Sequence, residues 1–109
     1  MPESAELLQG TLDLLILRTL SLQALHGVGV ADRIRQITSG VFEVKPGSLF
    51  PALHRLEEKG WIAGDWSRTE TGRRARFYKL TAAGRKQLAR ETRCWRTAAG
   101  AVESVLAAE

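Results

Sequence analysis

The chain has 109 residues, 44% of them hydrophobic and 26% charged, with a net charge of +4 and a pI near 9.8. That is room for one domain, and its basic balance favours a polyanionic partner without identifying one. The single cysteine, Cys94, excludes an internal disulfide and fits a reducing compartment, and the longest early apolar run, Leu14–Leu17 closed by Arg18, is far too short to span a bilayer.

Glu3 and Glu6 stand where a secretory leader would be basic, so a cytoplasmic location is expected. Leu7 to Leu22 reads as a first helix. Its apolar residues Leu12, Leu14, Leu15, Ile16, Leu17 and Leu20 cover more than one face, whereas an amphipathic surface helix needs only a stripe. Either the domain core wraps this helix or a second subunit does. The small core makes a second subunit the expectation, through Leu12 and Leu15.

His26 to Thr38 reads as a second helix, with Val28, Ala31 and Ile34 on its apolar side and Gly40 closing it. Val41 to Val44 has the length of a very short extended piece. Pro46 suits the first turn of a third helix. At 100° per residue Leu49, Ala52, Leu53 and Leu56 share one face, while Gly47, Pro51, His54, Arg55 and Glu58 lie opposite. Ser48 and Phe50 fall on the borders. Pro51 lacks an N–H and perturbs the ladder near the helix start, and Gly60 ends the helix.

Trp61 to Ser67 and Ala75 to Leu80 read as two strands joined by the polar loop 68–74. Thr81 is a fitting N-cap for a last helix that runs to about Ala107. In that helix Leu88, Trp95 and Val102 recur every seven residues, with Ala98 and Val105 at the intermediate step, which makes a short heptad seam. Glu91 interrupts the seam. The predicted fold is mostly α with a small β-hairpin: a winged helix-turn-helix over residues 1–80, then one long helix over 81–109. With nothing left in the chain to cover its seam, that helix is expected to pack against its own copy.

Charge follows the same map. Residues 45–79 hold eight Lys/Arg against four acids, residues 1–44 three against five, and residues 80–109 five against three. The excess therefore sits on the third helix and the hairpin and continues into the tail.

Five pieces together resemble the PadR family of bacterial transcriptional regulators, in its short form with one C-terminal helix. They are Leu8-Gln-Gly-Thr-Leu-Asp-Leu-Leu-Ile-Leu17 with His26-Gly27, Pro46-Gly-Ser-Leu-Phe-Pro-Ala-Leu-His-Arg-Leu-Glu57, Gly60-Trp61-Ile62, Arg73-Arg74 with Phe77-Tyr78, and Leu80-Thr-Ala-Ala-Gly84. The resemblance implies a homodimeric DNA-binding repressor. Two positions depart from the pattern. The family usually has tyrosine where this chain has Phe50, which removes a candidate phosphate contact. It commonly has Ser or Asn where this chain has Lys45, which gives up an N-cap but adds a charge.

The third helix is the candidate for the major groove of a pseudo-palindromic duplex. Lys45 and Arg55 are placed to hold phosphates, Ser48 and His54 to reach bases, and the peptide N–H groups near Gly47 to donate to a phosphate at the helix end, with Phe50 and Pro51 completing the surface. Arg68, Arg73, Arg74 and Arg76 at the hairpin tip suit phosphates or a narrow minor groove. The plain alternative is a half-buried helix beside a charged, soluble loop that shields an edge strand. Trp95 reads as a dimer-core residue, or, facing its copy, as half of a sandwich for a small aromatic effector. Cys94 reads as a small buried hydrophobe, and a redox sensor is the sharper alternative.

Other chemistry lacks its residues. His26 and His54 have no acid or cysteine at ligand spacing, Ser48 has no base, and no phosphate-cradling glycine loop occurs, so no catalytic residue, metal or cofactor is expected. The rival to a DNA-binding regulator is a winged-helix protein-interaction module without nucleic-acid binding. An RNA-binding winged helix is a second rival.

Overall fold

The computed structural model describes residues 9–109. The elements run α1 (Gln9–Leu22), β1 (Leu25–His26), α2 (Gly27–Ile37), α3 (Pro46–Glu58), β2 (Ile62–Arg68), β3 (Arg74–Leu80) and α4 (Ala82–Ala107). The expected helix start at Leu7, the leader reading of Glu3 and Glu6, and Leu8 of the family segment lie outside the described residues.

Capping chemistry sets the boundaries. His26 Nδ1 accepts from the Gly29 N–H at 3.1 Å and so opens α2, one residue later than predicted. Beyond Ile37 the chain turns through Ser39 (φ 51°) and Gly40 (φ 81°). Lys45 gives α3 no side-chain cap, as expected from its chemistry, and Pro46 takes the first turn. Pro51 lies inside α3, which stays continuous to Glu58. Thr81 Oγ1 accepts from the Gly84 N–H and donates to Gly60 O, so one hydroxyl opens α4 and ties it to the end of the α3 turn.

The sheet has three antiparallel strands in the order β1-β3-β2. The hairpin register pairs Ile62 with Leu80 and Arg68 with Arg74. The first hairpin strand starts and ends one residue later than its predicted span, and the second begins one residue earlier and ends at Leu80 as predicted. The third strand, β1, pairs Leu25 with Tyr78 and His26 with Phe77, and the predicted extended piece at 41–44 has no strand in its place. Alternation sends Ile62, Tyr78 and Leu80 to the face against the helices.

The core gathers Leu12, Ile16, Leu17 and Leu20 of α1, Val30 and Ile34 of α2, and Leu49, Ala52, Leu53 and Leu56 of α3. The four α3 residues are those that the helical projection put on one face. For α1 the expectation needs correcting. Leu12 is only 5% exposed and is covered by the chain's own helices and sheet, with Leu15 partly buried against the same core. Most of the apolar surface of α1 is covered within the domain, because α2, α3, β3 and α4 all pack on it, while Leu14 and Leu15 keep part of their surface.

The seam of α4 divides. Leu88 packs on the core, whereas Trp95, Ala98, Val102 and Val105 are exposed along the part of the helix that leaves the domain. Gly84 fixes the near end. A Cβ there would run into the carbonyl of Trp61 and the Leu80 side chain, so α4 lies directly against the β2 entry. No helix is long and apolar enough to cross a membrane among the described residues.

Candidate nucleic-acid interface

Two ion pairs anchor α3, both in its C-terminal half. Arg55 donates to Asp13 of α1 at 2.5 Å, and Arg76 of β3 donates to Glu57. A Cβ at Gly64 would lie 2.5 Å from Arg76 Nε, so the glycine leaves the channel along which the Arg76 side chain reaches α3. The Glu57 carboxylate holds the Arg76 guanidinium above its usual range. Burial pushes the neighbouring Tyr78 hydroxyl upward, with the Glu57 charge adding to it.

The outward face of α3, by contrast, is open to solvent. Lys45, Gly47, Ser48, Phe50, Pro51 and His54 are all exposed. His54 Nε2 lies 2.8 Å from Glu58 Oε1, one turn on. Gly27 at the start of α2 seats Phe50, since a Cβ there would stand 2.8 Å from the phenyl ring. The phenyl ring thus rests closer to the start of α2 than it could, unshifted, with a Cβ at position 27.

The hairpin tip is tightly closed. Thr69 donates its N–H to Arg73 O at 2.7 Å, Gly72 adopts φ 84°, and Arg68 Nη1 donates to Gly72 O at 2.9 Å. Arg68, Arg73 and Arg74 are exposed and have no carboxylate partner among the described residues. Arg74 lies over the ring of Trp66, 4.9 Å from its centroid.

The eleven predicted contact residues thus divide into two sets. Nine are exposed on the outward face of α3, its N-cap or the wing. Arg55 and Arg76, predicted to face outward, are half-buried and hold α3 in place. Their acidic partners, Asp13 and Glu57, were not read as partners, because the pairs join residues 42 and 19 positions apart. Trp66 was also missed, although strand alternation puts it on the face of Ile62 and Gly64 and so beside α3.

Between α1 and α4, Gly10, Thr11, Leu14, Glu91, Cys94 and Trp95 border a cleft of about 420 Å³. Trp95 is half exposed, and Cys94 is exposed rather than buried as expected. Glu91 Oε2 is buried without a hydrogen-bond partner among the described residues. Burial first, then the charge of Asp13, pushes its carboxyl above the ordinary range. Among the described residues no group of three or more His, Cys, Asp or Glu gathers to hold a metal ion.

Residues 16–90 match the model of the Transcriptional regulator PadR-like family. Transcriptional regulator Rv3488 of Mycobacterium tuberculosis is 42% identical over 52 residues, 48% of each chain. A transcriptional regulator from Clostridium thermocellum has a similar structure, with TM-score 0.80 and 26% identity over 88% of this chain and 93% of that one. A PadR family transcription regulator from Clostridium difficile is similar with TM-score 0.75 and 28% identity, over 87% of this chain and 97% of its own.

Proposed function

Because this chain belongs to the PadR-like family of transcriptional regulators, which are not enzymes, we propose that it is a homodimeric, effector-responsive repressor reading a pseudo-palindromic operator. The observation that carries this reading is the exposed outward face of α3 together with three exposed wing arginines that have no acidic partner among the described residues. Lys45, Gly47, Ser48, Phe50, Pro51 and His54 form the major-groove surface. Arg68, Arg73 and Arg74 take phosphates or the minor groove beside it. Arg55 and Arg76 act from behind by fixing the angle of α3.

The exposed Trp95, Ala98, Val102 and Val105 support residues 81–109 as the dimerisation helix, since four apolar groups on one stripe of a helix need cover. Two-fold symmetry then sets half-sites about one helical turn apart, or a multiple of it. A planar aromatic effector between the two Trp95 rings would act by favouring one separation of the reading helices, which requires different affinity for the two arrangements.

The test selects bound duplexes from a random pool, then titrates salt on the enriched sequence while light scattering gives the mass. Inverted symmetry, a dimer mass, and a slope set by about 6–10 phosphate contacts per dimer are expected. A strictly monomeric protein would end the dimer proposal. Indifference to every duplex in dilute buffer would leave a protein-interaction module, and preference for RNA in competition would replace the operator.

A further inference from the structure

Trp66 has no structural task in the core. It is 58% exposed on β2, beyond the point where the sheet's buried residues Ile62, Tyr78 and Leu80 meet the helices. Large exposed indoles are unusual on a small domain unless something covers them. One face of this ring carries Arg74, whose guanidinium carbon is 4.9 Å from the centroid. Its remaining surface borders a cleft of about 340 Å³ shared with Val28 and Phe50, between the wing and the reading helix.

We propose that Trp66 is a positioning residue for duplex binding: its indole holds the Arg74 guanidinium in place for a phosphate while its open side meets the adjoining sugar. The inference rests on the DNA-binding reading. Its physical basis is the cost of ordering an arginine. A free arginine on a hairpin tip loses much of its rotamer freedom when it is fixed on a phosphate. A stack on tryptophan, the best aromatic partner for a cation, removes part of that loss before the duplex arrives. Arg68 is fixed otherwise, by its bond to Gly72 O, and Arg76 by Glu57. Arg74 is the wing cation whose direction depends on an aromatic face. The cleft itself is apolar where Phe50, Val28 and Trp66 meet, and Arg74 stands over the Trp66 ring that borders it, a pairing of apolar surface and cation that suits the alternating sugar and phosphate of a backbone.

The experiment compares wild type with Trp66→Leu, Trp66→Phe, Arg74→Ala and the Trp66→Leu/Arg74→Ala double variant, on the duplex selected from the random pool, across a salt series. Leucine keeps apolar volume but has no π face. The expected result is that Trp66→Leu, although uncharged, weakens binding about two- to fivefold. It should also reduce the salt slope toward that of Arg74→Ala, about 0.9 for each phosphate no longer neutralised, while Trp66→Phe keeps the wild-type slope. The double variant should be weaker than Arg74→Ala only by what the sugar interaction accounts for. An unchanged slope in Trp66→Leu overturns the proposal, and so do fully additive losses in the double variant. If Trp66→Leu fails to fold, a Trp66→Phe slope equal to that of Arg74→Ala overturns it as well. Failure of wild type to bind any duplex would instead strike the DNA-binding reading underneath.

Discussion

Arg55 Nη2 lies 2.5 Å from Asp13 Oδ1, joining α3 to α1 across 42 residues of chain. The two side chains are 29% and 11% exposed, so the pair is largely shielded from water. Removing one partner leaves the other charge poorly solvated, and a solitary Asp13 would also face Glu91.

For Arg55→Met we expect a loss of about 2–3 kcal/mol, somewhat below the cost of breaking a fully buried pair. The Asp13→Leu/Arg55→Met double variant should recover much of it, since apolar replacement of both partners is often near neutral. Urea denaturation at one fixed protein concentration measures both values. Additive losses in the double variant would mean that the two residues act separately.

Glu91 gives a pH dependence with a definite sign. Its folded-state carboxyl is raised above the ordinary value of 4.5, so ionisation disfavours the folded state. The penalty is absent below the unfolded value and grows as pH rises through the window above it. Glu91→Gln should therefore melt higher than wild type at pH 7, and the two should converge near pH 4. Melting curves over that range decide it, and a wild type more stable than the variant at pH 7 would contradict the sign.

Two glycines of α4 should respond in opposite directions to the same change. Gly84→Ala places a methyl against the carbonyl of Trp61, where backbone has no room to move, and should cost more than about 2 kcal/mol. Gly100 has open space around its Cβ position and sits on the helix side opposite the Trp95–Val105 stripe. Gly100→Ala should stabilise by roughly 0.8–1 kcal/mol. Thermal denaturation of both variants is the measurement.

The wing arginines should separate by role. Arg73→Gln should leave the melting temperature unchanged while weakening duplex binding and lowering its salt slope by about 0.9 for each phosphate left without a cation. Arg76→Gln should lower the melting temperature, because Glu57 loses its partner, and should weaken binding with little change of slope. Fluorescence-monitored salt titrations alongside melting curves distinguish the two patterns.

Much of this architecture is legible locally. Pro46, Gly60 and Thr81 mark helix ends through their own backbone or hydroxyl chemistry, and Leu49, Ala52, Leu53 and Leu56 need only helical spacing to declare a buried face. Other features depend on partners distant in sequence. A strand as short as Leu25–His26 is too brief to show alternation, and it exists because Phe77 and Tyr78 offer it a free edge. The same applies to Arg55 and Arg76: a surface cation and an anchoring one look alike until Asp13 and Glu57 are brought alongside. Leu12 reads as excess grease on one helix because the elements that cover it come later in the chain.

The tight seat of Gly84 against Trp61 also has a mechanical consequence. From there α4 extends as a rod of about 35 Å, so swivelling it by only about 10° at that pivot would swing its tip by about 6 Å. Conversely, clamping the tips of two such rods would gear small adjustments near Trp95 into larger travel of the heads they carry.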